Sequence, residues 1–388
     1  MANKKIIKLD IINAVNNIFL AAIKKGASDI HIEPHEDEMI IRYRVDGVLS
    51  VVETGNLDTF KQIISRIKVL AQLETMGRQR PQEGKYKFSF QDAEADLRIS
   101  IFPTSLGETV VIRILESIKI FKKYDDLGFT PEQSKTIENT TEKPYGLILV
   151  TGPNGAGKST TLFTILNKLN KPGKSLVTLE DPVEMKLDMV RQTQIDPDIN
   201  LTFASGLRYL LRQDPDIIMV GEIRDKETAQ IAVQASITGH LVLATVHTNN
   251  AAGAIVRMIN MKVEPFLLAS ALKLVTAQRL ALVNCPKCKK EYFPSQELLA
   301  KFRNSKNMKF YHSSGCNYCN NKGIKGRVGM HEVLVINDEI KNIIHSKPDD
   351  KEITKIAERD GMISLREAAL KKVNEGVITI EEALRLTE

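Results

Sequence analysis

The sequence has no long apolar run, few aromatic residues and only a slight excess of positive charge. No stretch of its 388 residues approaches the roughly 20 apolar residues that a bilayer-spanning helix needs, and the lysine-rich start lacks a following apolar core. The net charge of +6 and the 5% content of aromatic residues fall short of a nucleic-acid footprint. We therefore expect a cytoplasmic globular protein that binds no nucleic acid, with room for a peripheral contact with an anionic membrane.

Only four cysteines are present, and they form two Cys-x-x-Cys pairs. Cys285 and Cys288 are separated by 27 residues from Cys316 and Cys319. In a reducing compartment this pairing favours a metal over disulfides. Redox chemistry is the alternative, but two such pairs without a thioredoxin-like context favour a closed tetrahedral zinc site that folds a small excursion.

A complete phosphate-binding loop is the feature with the clearest chemistry. The apolar run 147–150 enters it and a helical pattern leaves it. Its glycines allow backbone N–H groups to surround a phosphate at a helix N-terminus, Lys158 can reach the β- and γ-phosphates, and the Ser159 hydroxyl can bind Mg²⁺. A glycine-rich turn without a ligand is the alternative, but strand, loop and helix together favour a nucleoside triphosphate. The loop comprises Gly152, Pro153, Asn154, Gly155, Ala156, Gly157, Lys158, Ser159 and Thr160.

Hydrophobic periodicity predicts two α/β domains, with a helix over residues 1–25 at the start of the first. A hairpin with a type I′ turn at Asp46-Gly47 and a helix with apolar residues from Phe60 to Leu73 follow. Three more strands, at 85–90, 96–101 and 110–115, complete the first domain. The second alternates strands with helices, which predicts a parallel sheet covered on both faces. Its strands are predicted at 147–151, 175–179, 217–220 and 241–246.

Polar residues follow the strands of the second domain where each strand ends. Glu180 and Asp181 follow one, Glu222 and Arg224 the next, and His247 the last. Ligands of parallel sheets lie beyond the carboxyl ends of the strands. Glu180 and Glu222 are therefore predicted near the γ-phosphate, where one would order Mg²⁺ waters and the other would orient or deprotonate the attacking water.

The loop alone is similar to that of ABC transporter ATPases, but their Leu-Ser-Gly-Gly-Gln signature is missing. The rest of the chain resembles the secretion ATPase superfamily that powers type II secretion and type IV pilus assembly, in its tetracysteine-containing branch. Ordered motifs carry this resemblance. They are Leu-Leu-Arg-Gln-Asp-Pro-Asp-Ile-Ile-Met-Val-Gly-Glu-Ile-Arg-Asp at 210–225, an N-terminal signature at 27–34 and 42–47, an Asp box at 178–184 and a His box at 238–249.

The resemblance implies a small PAS-like α/β domain followed by a RecA-like P-loop NTPase domain, ATP, Mg²⁺ and Zn²⁺ as cofactors, and a homohexamer. It implies that Glu222 is the catalytic glutamate, that Glu180 and Asp181 belong to the Asp box, and that His240 and His247 lie near the nucleotide. It also implies arginines at the phosphates, some supplied by one module to another. They are Arg98, Arg113, Arg208, Arg212 and Arg224.

Hydrophobic periodicity and the family resemblance together predict a division of the chain into five segments. It is an N-terminal domain at 1–120, a linker at 121–144, an ATPase core at 145–280, a zinc element at 281–330 and a helical region at 331–388. About 25 residues precede the first family motif, a short N-terminus typical of retraction motors, and 339–344 is similar to the C-terminal motif of those motors. The tetracysteine element instead marks assembly and secretion ATPases.

We therefore expect an ATP-hydrolysing motor at the inner membrane that acts on a platform protein, meets the membrane through its partners and assembles pilins or pseudopilins. A pilus retraction ATPase is the nearer alternative. A zinc-bearing nucleic-acid translocase is the more distant one, and stimulation by DNA or RNA with a steep salt dependence would identify it.

Overall fold

The computed structural model describes residues 10–75, 80–115, 123–301, 308–346 and 349–387. The chain divides into two compact units, Met1–Ile118 and Lys119–Glu388. Within the described ranges, no helix is long and apolar enough to cross a membrane.

The first unit is an antiparallel sheet with two helices on one face. Its strands have the order β3-β2-β1-β6-β5-β4. Alternate residues of the strands, among them Ile30 and Ile99, are buried with Phe19 and Ile67 of the helices in one core. The opposite face of the sheet carries many charged side chains, among them Asp29, Arg42 and Arg113. The elements are α1 (Ile11–Lys24), β1 (Ala27–Pro34), β2 (Met39–Val45), β3 (Val48–Gly55), α2 (Leu57–Leu70), β4 (Gln82–Phe90), β5 (Ala93–Thr104) and β6 (Gly107–Leu115).

Local features of the sequence set the turn between β2 and β3 and the start of α1. Asp46 and Gly47 both have positive φ angles, 54° and 84°, as the predicted type I′ turn between β2 and β3 requires. The Asp10 carboxylate accepts from the backbone N–H groups of Ile12 and Asn13 and starts α1. Residues 1–9 of the predicted first helix lie outside the described ranges.

The second unit is built on a seven-stranded sheet with the order β15-β12-β7-β11-β10-β8-β9. Only β15 is antiparallel to its neighbour. Every residue of β7 and β11 is buried, because helices cover both faces of the sheet, as predicted. The strands are β7 (Gly146–Thr151), β8 (Leu176–Glu180), β9 (Val190–Gln194), β10 (Ile217–Val220), β11 (Leu241–Val246), β12 (Leu272–Asn284), β13 (Lys289–Tyr292), β14 (Phe310–Ser313) and β15 (Ile324–Val335).

Helices of the second unit lie between and after these strands. They are α3 (Pro131–Thr141), α4 (Lys158–Leu169), α5 (Phe203–Leu210), α6 (Lys226–Ile237), α7 (Ala251–Asn260), α8 (Pro265–Ala271), α9 (Gln296–Ala300), α10 (Asp338–His345), α11 (Asp350–Arg359), α12 (Leu365–Asn374) and α13 (Ile380–Thr387). Helix α3 falls inside the segment predicted as a linker, where Thr130 and Gln133 form a capping box and Pro131 occupies the first turn. Strand β15 crosses the predicted boundary at residue 330.

Strands β12 and β15 extend beyond the other strands as a two-stranded ribbon. Ala277 is the last residue of β12 that pairs with β7, whereas the pairing with β15 continues to Asn284. The small sheet of β13 and β14 follows this end of the ribbon along the chain. The four cysteines therefore lie on an excursion between β12 and β15.

Candidate active site

The carboxyl ends of four parallel strands bring the predicted site residues of the second unit to one edge of the sheet. Thr151 pairs with Val246, so the phosphate loop and His247 leave neighbouring strands at the same level. Val220 pairs with Leu179, which places Glu222 and Glu180 at the same edge. The Thr248 backbone N–H donates to the Thr151 hydroxyl at 2.9 Å, which fastens the His-box loop to the start of the phosphate loop.

The phosphate loop is held open by glycines and by a buried glutamine. A Cβ on Gly152 would lie 2.5 Å from the Gln278 carbonyl oxygen, so only glycine allows this approach. The Gln278 side chain, 2% exposed, donates to the Ala156 carbonyl at 2.7 Å and accepts from the Thr161 hydroxyl at 2.9 Å. The loop is thereby shaped before a ligand arrives.

Lys158 begins α4 and points back into its own loop. Its Nζ donates to the carbonyl oxygens of Gly152 at 2.9 Å and Pro153 at 3.0 Å. Burial lowers the pKa of Lys158, the carboxylate of Glu222 opposes that shift, and the guanidinium of Arg279 adds to it. Lys158 is therefore a partly desolvated cation. A bound phosphate would replace its contacts with the two loop carbonyls.

Glu222 is the centre of a charged cluster at the end of β10. It is buried, its Oε2 lies 3.5 Å from His247 Nε2, and its Oε1 forms an ion pair with Arg224. Burial and the nearby charge of Lys158 lower the pKa of His247. The charge of Glu222 and its hydrogen bond oppose this shift. His247 therefore carries a neutral imidazole at neutral pH. The structure brings Lys158, Glu222, Arg224 and His247 together.

Glu180 is more deeply buried than Glu222. It is 3% exposed, and its Oε1 accepts from the Thr178 hydroxyl at 2.5 Å and from Gln192 Nε2 at 3.0 Å. Burial raises the pKa of Glu180, and these two hydrogen bonds oppose the rise because they favour the carboxylate. The adjacent Asp181 is exposed.

Three other predicted residues lie farther from this cluster. Arg208 on α5 forms an exposed ion pair with Glu227 of α6, and Arg212 is exposed after the same helix. His240 precedes β11, where its Nδ1 lies 3.0 Å from the Ala235 carbonyl oxygen. The six residues of β11 span about 20 Å, so His240 lies at the opposite end of this strand from His247. The structure does not bring His240 to the phosphate loop.

Arg98 and Arg113 face each other across β5 and β6 in the first unit. Arg113 is exposed and its Nε lies 3.2 Å from Asp29 Oδ1, while Arg98 is partly exposed. Arg44 Nε lies 3.7 Å from the other oxygen of Asp29. These three cations occupy the same face of the sheet, opposite the core.

The four cysteines form one compact cluster. Their sulfur atoms all lie within 4.8 Å of one another, and the Cys285–Cys316, Cys288–Cys319 and Cys316–Cys319 separations are 3.8, 3.9 and 3.8 Å. The backbone N–H groups of Cys316 and Gly323 each donate to the Cys319 sulfur at 3.2 Å, an arrangement that favours a thiolate. The cluster is suited to holding a metal ion.

Polar residues on strands are what the sequence prediction missed. Gln278, Arg279, Thr178 and Gln192 all contact the site. Arg279 is partly buried and donates to the Asn249 carbonyl at 2.8 Å, which ties β12 to the His-box loop. The available signal was the interruption of the apolar pattern of β12 by Gln278 and Arg279 beside the phosphate loop.

Comparison with known proteins identifies the family of this chain. The sequence profile of the family described as Type II/IV secretion system protein matches residues 7–385. The type II secretion system ATPase E of Vibrio cholerae serotype O1 is 44% identical over 380 residues, which are 97% of this chain and 75% of that protein. The type IV pilus assembly ATPase PilB of Thermus thermophilus is 43% identical over 377 residues, 96% of this chain and 42% of that protein.

The fold agrees with a solved structure. The crystal structure of the pilus retraction motor PilT with bound ADP is similar with a TM-score of 0.64 and 26% identity, and the match covers 96% of each chain. These findings confirm the predicted family, the α/β fold class with its RecA-like sheet, and ATP hydrolysis as the activity. The chain belongs to the type II/IV secretion system protein family, and it is an ATPase.

Proposed function

We propose that this chain is a hexameric, Mg-ATP-hydrolysing motor that powers the assembly of type IV pili or type II secretion pseudopili at the inner membrane. The cluster of Lys158, Glu222 and His247 beside the phosphate loop is the observation that carries it. The names of the relatives at 44% and 43% identity support the choice of secretion and pilus assembly.

In the proposed site, Lys158 and the backbone N–H groups of residues 154–160 would hold the phosphates, and the Ser159 hydroxyl would bind Mg²⁺. Glu222 orients and activates the attacking water, and His247 fixes the Glu222 carboxylate. Glu180 and Asp181 would order the waters of a Mg²⁺ ion held by Ser159. The geometry favours this division of roles because Glu222 contacts His247 and Arg224, whereas Glu180 is held by neutral donors.

We further propose that arginines from two sources neutralise the phosphates in the assembled ring. Arg98 and Arg113 lie side by side on an exposed polar sheet face, a suitable place for charges that one module supplies to another. Arg224 contacts Glu222 in the structure. Arg208 would contact the phosphates once its surface ion pair with Glu227 breaks, and Arg212 would move there from its exposed position. A planar guanidinium suits this task because it binds phosphate oxygens with two parallel hydrogen bonds.

The metal held by the cysteine cluster is proposed to be zinc in a structural role. A tetrahedral ion with Zn–S bonds of about 2.3 Å places its sulfurs about 3.8 Å apart. Three of the measured separations, 3.8, 3.9 and 3.8 Å, agree with this value. With four thiolates as ligands the coordination is closed, so the ion would fold the excursion between β12 and β15 and would supply no chemistry to hydrolysis.

The proposed partner is the platform protein of the filament machine in the inner membrane, and the motor meets the membrane through it. No nucleic-acid substrate is proposed, because the net charge of +6 is small for 388 residues. The location proposed is therefore the cytoplasmic side of the inner membrane.

The test is to replace the chromosomal gene with Lys158→Ala and Glu222→Gln variants in the native host and to score surface filaments and secretion. Both variants are expected to abolish them. Lys171→Ala and Glu142→Gln, which alter exposed residues of the same types, are the matched controls. Unchanged filaments and secretion in both site variants would refute the motor, and an excess of filaments would identify a retraction ATPase instead.

A further inference from the structure

Strand β9 is the edge strand beside β8, and the side chain of Gln192 connects it to Glu180. Gln192 Nε2 donates to Glu180 Oε1 at 3.0 Å and to the Met185 carbonyl at 2.8 Å. Its Oε1 accepts from the Leu187 backbone N–H at 2.7 Å. One amide group therefore links the carboxylate at the end of β8 to the segment that follows it.

Only an amide provides both kinds of contact at this place. The donor satisfies a carboxylate that is 3% exposed, and the acceptor satisfies a backbone N–H in the following segment. An apolar residue of similar size would remove one of the two donors that Glu180 Oε1 has from described side chains, the other being Thr178. A carboxylate in place of the amide would add a repulsive charge.

We propose that Gln192 is a positioning residue for ATP hydrolysis, which fixes the Glu180 carboxylate in its orientation and couples it to residues 185–187. The inference rests on the role given to Glu180 in the proposed function. Gln192 is not a catalytic residue, because it acts through Glu180. Residues 185–187 lie outside the strands of the sheet. A conformational change of this segment would alter the orientation of the Glu180 carboxylate through the Gln192 amide.

The test measures steady-state ATP hydrolysis by the full chain with saturating Mg²⁺ for Gln192→Leu, Glu180→Gln and the double variant. Gln192→Leu is expected to lower kcat about tenfold or more, the effect of losing a hydrogen bond to a charged group. In the Glu180→Gln background, Gln192→Leu should change kcat less than about twofold, since the two residues act as one unit. Gln194→Leu, an exposed glutamine on the same strand, is the matched control.

A second readout separates positioning from a purely structural role. The pKa of Glu180 is raised by burial and by the charge of Glu184, and is lowered by the donors Thr178 and Gln192. Removing either donor raises this pKa further, so the acid limb of the pH–kcat profile should move to higher pH in Gln192→Leu and in Thr178→Val. Thr178→Ser, which keeps the hydroxyl, should restore the limb.

Each outcome decides the inference. An unmoved acid limb in both Gln192→Leu and Thr178→Val, or equal losses of kcat from Gln192→Leu with and without Glu180, would overturn it. If Glu180→Gln loses activity and Gln192→Leu keeps it, the role of Gln192 is refuted and the proposed role of Glu180 stands. Full activity in Glu180→Gln removes the proposed role of Glu180 as well.

Discussion

Replacing Gln278 by leucine is expected to destabilise the ATPase unit through the phosphate loop. The side chain is 2% exposed and makes two hydrogen bonds, with the Ala156 carbonyl and the Thr161 hydroxyl. Leucine has a similar volume, so the main effect is to leave two buried polar groups unpaired. Each such group costs about 1–3 kcal/mol, so we expect the free energy of unfolding to fall by about 3 kcal/mol.

Urea unfolding measures this change, provided that the transition belongs to the correct unit. The unit that carries the phosphate loop is expected to gain the most stability from Mg-ATP, so its transition is the one that the ligand moves furthest toward higher urea. Adding Thr161→Val removes one of the unpaired groups and should recover part of the loss. A wild-type midpoint in Gln278→Leu, or a double variant less stable than the single one, would refute the reasoning. Gln194→Leu serves as the control.

Two further predictions concern the second unit. Cys316→Ser is expected to abolish binding of the proposed zinc ion, which atomic emission of the purified chain measures. The melting temperature of the variant should fall to the value that a chelator gives the unaltered protein, and equal metal content in both proteins would contradict this. His331 is buried, stacks on Phe129 and has its pKa lowered by burial to about 4, so the folded chain holds it neutral while the unfolded chain binds a proton below about pH 6.5. Stability is therefore full above that pH and falls by about 2 kcal/mol between pH 6.5 and pH 5; urea midpoints should show this slope, and His331→Gln should flatten it.

Local patterns allowed the ATPase edge to be predicted. The glycine spacing at 152–157 and the apolar runs of β7, β8, β10 and β11 are contiguous in sequence, and parallel pairing then fixes which strand ends meet. Glu222 and His247 were predicted as site residues because they stand at the ends of such runs, Glu222 after Gly221 and His247 directly after β11. Their contact at 3.5 Å is the spatial result of adjacent parallel strands.

Contacts between distant segments could not be predicted in this way. Gln278 lies 122 residues from Ala156 in sequence, and a glutamine in a strand has the same local signature whether it braces a loop or faces solvent. His240 shows the converse. It is close to His247 in sequence, but the extended backbone of β11 separates them. Helix α3 was missed because Ile137 is the only large apolar residue buried along it.

The ribbon of β12 and β15 gives the chain a direct mechanical connection. Gln278 braces the phosphate loop. Cys285 follows seven residues later, directly after the end of β12, which is about 23 Å away at the rise of an extended chain. Pairing with β15 from Leu274 to Asn284 stiffens this length. The brace of the phosphate loop and the cysteine cluster are therefore joined by one continuous two-stranded segment, which sets the distance between them.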